Sequence, residues 1–194
     1  MTRPIATAAA VIVAIASVIG CSETPSPSTP RSPGLVPATK EFTAESRGLK
    51  FSFRYPAAWK LDPTPTPWAT LAMAVAPPND ELGTRLVFVL VDGDMAAKMI
   101  ANGPVVPRAA AVVAQSHVNI GGVIFLRTEW RGRLGNDPTF RRSVELQGDV
   151  GGRCIILQGY ASAPLGSDGD ADMRFEKWRP TFEAVLATAH LETP

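Results

Sequence analysis

Few side chains in this sequence are of types that attack, ligate or shuttle protons, so each can be weighed. There are two cysteines, Cys21 and Cys154, and two histidines, His117 and His190. A thiol beside an imidazole base is the smallest nucleophilic couple a protein can build, which makes Cys154 and His117 the pair to consider. Cys154 stands in Arg-Cys-Ile-Ile-Leu, a strand-like run where a lone thiol is expected to be buried and inert. A zinc site needs three or four ligands drawn from His, Cys, Asp and Glu. Neither histidine has a neighbour at ligand spacing, so no metal is expected. The run 167–172, SDGDAD, offers Asp168, Asp170 and Asp172 in the manner of a calcium loop. Met173 follows where the loop would continue, and a distant glutamate is lacking. A solvated loop capping a helix is the better account. No GxSxG, HExxH or Walker sequence occurs, and no catalytic residue or cofactor is assigned. Trp68, at the end of Pro-Thr-Pro-Thr-Pro-Trp, is the candidate for a binding surface; the competing reading has it cap one end of a sheet.

Cys21 has a different chemistry. Residues 5–19, IATAAAVIVAIASVI, carry no charge and follow Arg3. As a helix, this segment would reach only about 22 Å, short of a hydrocarbon core of about 30 Å. It therefore reads as the apolar part of a signal peptide, against the alternative of a short retained anchor. Val18-Ile19-Gly20-Cys21 resembles the bacterial lipobox. That resemblance implies cleavage between Gly20 and Cys21, a diacylglyceryl group on the thiol and an acylated amine. One acyl chain holds a protein to a membrane marginally, whereas two or three hold it firmly. The expected location is the extracytoplasmic face of the cell membrane. An acylated Cys21 also leaves Cys154 without a disulfide partner. Residues 22–39, rich in Ser, Thr and Pro, bury too little to offset ordering and read as a flexible spacer of up to roughly 55 Å.

The elements that must position any site begin after the spacer. The chain has 194 residues, 45% of them apolar, and a net charge of +1. Removing residues 1–20 takes away Arg3 and leaves 18 basic against 18 acidic side chains. A neutral chain gives no electrostatic reason to bind nucleic acid. The division read from the sequence is 1–20 signal peptide, 21–40 spacer and 41–194 a single domain. Strands are predicted over 49–56, 69–76, 85–92, 123–134, 140–148 and 153–161. The first alternates Leu49, Phe51, Phe53 and Tyr55 with polar residues, while RLVFVLVD is a continuous run suited to a strand covered on both faces. A helix is predicted over MAAKMIANG, with Asp94 as its N-cap and Gly103 at its end. A second is predicted over 107–116 with Pro107 in its first turn. Trp178, Phe182, Val185, Leu186 and Ala189 share one face of a C-terminal helix. Pro180 is placed at its first turn, after a separate short helix or turn. Strands and helices in separate runs predict an α+β fold, an antiparallel sheet of about six strands covered by helices.

FRYPAAW (53–59), a strand ending in Pro with Trp three residues on, resembles the PsbP-like fold. The order of PAAWKL, the APPND loop, NIGGVIFLRTEWRGRLG, VELQGDVGGRCIILQGYAS and the last helix is similar to the mycobacterial LpqN/LpqT lipoproteins over residues 49–194. The resemblance implies a sheet between helices, a cell-envelope location and no established enzymatic activity. Three functions follow as expectations. The first is a non-enzymatic module that binds an envelope protein partner, tethered to the membrane through Cys21. The second is a carrier of an envelope lipid or glycolipid, which requires an apolar cavity between sheet and helices. The third, a hydrolase, lacks its constellation.

Overall fold

The structure, a computed structural model, describes residues 38–193 apart from 47, 64–66, 68, 79–82, 105, 108 and 134–137. The signal peptide, Gly20, Cys21, the spacer up to 37 and Trp68 lie outside the described residues.

The strands are β1 Thr39–Ser46, β2 Leu49–Pro56, β3 Lys60–Pro63, β4 Leu71–Ala76, β5 Arg85–Val91, β6 Ala110–Ile120, β7 Val123–Arg133, β8 Thr139–Val150, β9 Arg153–Pro164 and β10 His190–Glu192. Two helices join them, α1 Gly93–Asn102 and α2 Asp168–Ala187. The fold is α+β and its strand pairs are antiparallel, in one sheet of order β3-β4-β5-β9-β8-β7-β6 and a smaller one of order β1-β2-β10.

Alternation along the strands gives the large sheet two unlike faces. The inner face presents Leu86, Phe88 and Leu90 of β5, Ile155 and Leu157 of β9, Val144 and Leu146 of β8, and Phe125 of β7. Against it pack Phe175, Phe182, Val185 and Leu186 of α2 and Phe42, Phe51, Phe53 and Tyr55 of the small sheet. Each fully buried Phe contributes about 1.5–3 kcal/mol relative to exposure. Close approach depends on a missing side chain at Gly159, where a Cβ would stand 2.6 Å from Phe182 Cδ1. The outer face is covered at one corner by α1, through Ala96, Met99 and Ile100 against Val89, Val91, Cys154 and Ile156.

Several local expectations need correction. Residues 107–116 form no helix. From Ala110 they enter β6, which pairs with β7 through the Gly121-Gly122 turn, both glycines at positive φ (58° and 84°). Such a two-residue turn matches the twist of antiparallel strands, and the partner strand overrides the helix propensity of the alanines. The N-cap of α1 is Asp92, not Asp94. Its carboxylate is taken by Thr70 Oγ1 (3.1 Å) and Arg153 Nε (3.5 Å), while Asp94 lies in the first turn, favourable to the helix dipole. Pro180 lies inside the single 20-residue helix α2. It is exposed, so the backbone bond it forfeits lies on the solvent side, where water can satisfy the freed carbonyl. The sequence pattern predicts about six strands and the described residues hold ten, because β1, β3 and β10 are short or polar on one face and β6 resembles helix in sequence.

Candidate functional site

The thiol–imidazole pair does not assemble. Cys154, the second residue of β9, is fully buried under α1, while His117 is exposed on β6, at the far edge of the sheet beyond β8 and β7. Burial first, then the charges of Glu145 and Asp149, push the Cys154 thiol up to about 11. At neutral pH it is protonated and a poor nucleophile. His190 lies on β10, 3.5 Å from Glu192. Among the described residues no group of three His, Cys, Asp or Glu side chains could share a metal ion.

The aspartates of SDGDAD occupy the start of α2. Ser167 is at the N-cap position, Asp168 and Asp170 are in the first turn, and Asp172 faces the sheet. Asp172 meets Arg131 (3.1 Å) and Arg142 (3.4 Å). Arg142 also reaches Glu129 at 2.6 Å, and Arg179 of α2 reaches the same oxygen at 2.7 Å. Both guanidinium groups lie 5.3 Å from the centre of the Phe175 ring. Glu129 is only 3% exposed, so this clasp between α2 and the sheet has a buried centre, while Arg131 and Arg179 at its rim reach solvent. Burial would lower the Arg142 pKa; the hydrogen bond and charge of Glu129 outweigh it and leave the pKa raised.

The middle of the outer face carries the less expected chemistry. Ser143, Glu145 and Gln147 alternate along β8 there, flanked by Thr128 and Trp130 of β7 and Gln158 of β9. Ser143, Glu145, Gln147, Thr128 and Trp130 are all buried. Gln158 Nε2 donates to Glu145 Oε2 (3.0 Å), Gln115 Nε2 to Thr128 Oγ1 (3.3 Å) and Gln147 Nε2 to the Met99 carbonyl (3.0 Å). Trp130 Nε1, Ser143 Oγ, Glu145 Oε1 and Gln147 Oε1 have no protein partner among the described residues. Desolvation drives the Glu145 carboxyl up to about 7. Next to this row a shallow pocket of about 230 Å³ is lined by Ile100, Pro104, His117, Ile124, Leu126 and Gln147. A second, about 310 Å³, lies on the outside of the small sheet between Glu41, Arg54, Thr188 and His190. Both can hold a small polar or mixed group. Neither presents a nucleophile with its base. The polar row escaped the sequence reading because Glu145 and Gln147 alternate with apolar residues, a pattern that marks a solvated face.

The sequence matches no family model and no curated protein. Among solved structures, cyanobacterial PsbP (CyanoP) from Synechocystis sp. PCC 6803 aligns with a TM-score of 0.53 at 14% identity, over 82% of this chain and 96% of that one. The fold is therefore PsbP-like. LpqN of Mycobacterium tuberculosis, whose structure is described as that of a protein involved in cell envelope biogenesis, aligns with a TM-score of 0.46 at 15% identity, over 80% of this chain and 92% of that one. Among the described residues no helix is long and apolar enough to cross a membrane.

Proposed function

We propose that this chain is an accessory lipoprotein of the cell envelope, of the LpqN/LpqT kind its sequence resembles. Residues 1–20 direct export, acylated Cys21 holds it to the extracytoplasmic face of the membrane, and the spacer read over 21–40 lifts the domain from that surface, shortened by Thr39 and Lys40, which already belong to β1. The domain catalyses no reaction and binds a protein partner from its outer surface. One observation carries this reading: the space between the large sheet and its covering layer is filled with aromatic rings. Phe51 stacks on Phe88 at 5.3 Å between centroids, Phe42 meets Phe53 at 5.1 Å, and Phe175 meets Phe182 at 5.7 Å. A lipid carrier would need that volume for acyl chains.

Two measurements on protein purified from its membrane test the reading. Cys21→Ser is expected to move the chain out of the membrane fraction. Lipid extraction and mass spectrometry are expected to find no lipid in stoichiometric amount apart from the covalent anchor. A stoichiometric free lipid would overturn the partner-binding reading in favour of a carrier. Retention of Cys21→Ser in the membrane would overturn the anchor.

A further inference from the structure

The two sheets have four edges, and three of them are protected. β3 has four residues and ends at Pro63. β10 has three, two of them His190 and Glu192. β1 carries Lys40, Glu41 and Glu45. Short strands, charges and proline are the usual means by which an edge resists pairing with another chain. β6 has none of these three, and the one bulge it carries, between Val112 and Ala114, lies near its start and leaves 114–120 unguarded. It runs for 11 residues, AAVVAQSHVNI, without a charged side chain or proline, and nearly all of it is exposed. It pairs with β7 on one side and, among the described residues, ends the sheet on the other. Val112 and Val113 are 49% and 47% exposed, and Ile124, beside Asn119 on β7, is 56% exposed.

We propose that β6 is a self-association edge, at which a second copy of this chain adds its own β6 antiparallel and joins the two large sheets into one. A second copy fits because the strand is neutral along its length, so a like sequence laid against it meets no like charge, which would otherwise oppose pairing. The register follows from the irregularity between Val112 and Ala114. A bulge there interrupts the ladder and leaves 114–120 as the regular part. Paired with itself in full, that segment sets Ala114 against Ile120, Gln115 against Asn119 and Ser116 against Val118 of the other copy, with His117 on the two-fold axis. Amide side chains of Gln115 and Asn119 then lie side by side on one face. This proposal does not depend on the identity of any envelope partner.

Single cysteines placed along the strand in the full chain, expressed in its membrane, test it. Antiparallel neighbours stand about 4.5–5.5 Å apart at Cα, within reach of a disulfide. Mild oxidation of His117→Cys is expected to give a covalent dimer. Ser116→Cys and Asn119→Cys, each displaced from its own counterpart along the strand, are expected to cross-link several-fold less. Charge supplies a second arm, read by energy transfer between labelled copies in bilayers. His117→Lys and His117→Glu each oppose like charges on the axis and are expected to weaken self-association about fivefold, while mixing the two variants restores it. Because His117 is exposed, these changes leave the monomer folded, as circular dichroism would verify. No cross-link at 117, equal cross-linking at every position, or no recovery on mixing would overturn the proposal.

Discussion

Glu145 offers the most direct test of how the outer face is built. Its carboxyl is 4% exposed, accepts one hydrogen bond from Gln158, and has its pKa raised from 4.5 to about 7 by desolvation. In the unfolded chain it ionises near the usual value. Between pH 4.5 and about 7 the folded state thus holds a proton that the unfolded state has released. Stability is greatest below that window and falls as the pH rises through it. The rise is about 2.5 units, and at 1.36 kcal/mol per unit the loss approaches about 3 kcal/mol by pH 8. Glu145→Gln keeps an acceptor for Gln158 and cannot ionise. The variant is expected to show a flatter dependence of stability on pH from 4.5 to 8. At pH 8 it should be more stable than the parent, with a melting temperature roughly 6–12 °C higher for a domain of this size. Guanidinium unfolding at half-unit pH steps measures both, and the difference between the two proteins cancels every other titrating group. Parallel pH profiles, or a variant less stable than the parent at pH 8, would refute the assignment of a buried, protonatable carboxyl.

Three further outcomes follow from the packing. Glu129→Ala removes the buried carboxylate that Arg142 and Arg179 share and leaves them Asp172 and Glu176, so it is expected to cost about 2 kcal/mol in urea unfolding, the worth of a charged hydrogen bond; an effect below about 0.5 kcal/mol would mean that the clasp is solvated. Gly159→Ala forces a methyl to within 2.6 Å of Phe182 and is expected to cost about 1–3 kcal/mol through overpacking, measured by the shift in denaturation midpoint. Cys154, buried and with its thiol pushed up to about 11, is expected to resist iodoacetamide at pH 8 in the native protein and to react at once in denaturant, as followed by intact mass.

The legible parts of this fold are those where side-chain period and burial agree. β2, β5, β7, β8 and β9 lie in strongly alternating or continuously apolar runs, and Gly103, at φ 70°, marks the end of α1 as its sequence promised. β6 looks helical in sequence because alanines favour helix locally, whereas the deciding influence is a partner across a turn. The signal was present in Gly121-Gly122 between two apolar runs. β10 is held by pairing with β2, a contact more than a hundred residues away in sequence that no local pattern encodes. The site was less legible than the fold. Gln147 is buried beside α1, whose Met99 carbonyl it bonds, and Glu145 lies between Thr128 and Gln158 of the neighbouring strands; a period of two cannot say which face will be covered. Cys154 was the exception, since its apolar neighbours alone announced an inert thiol.

The small sheet also determines how the domain meets a mechanical load. β1 and β10 flank β2 and run in the same direction, with Thr39 opposite Pro56 and Glu192 opposite Lys50. The chain therefore enters this sheet at one end of β2 and leaves it at the other. Tension between the chain before β1 and the chain after β10 pulls along the strands in opposite senses, so the ladder is sheared and its hydrogen bonds resist together. Had the two ends left from the same end of β2, the bonds would have opened one after another, like a zip.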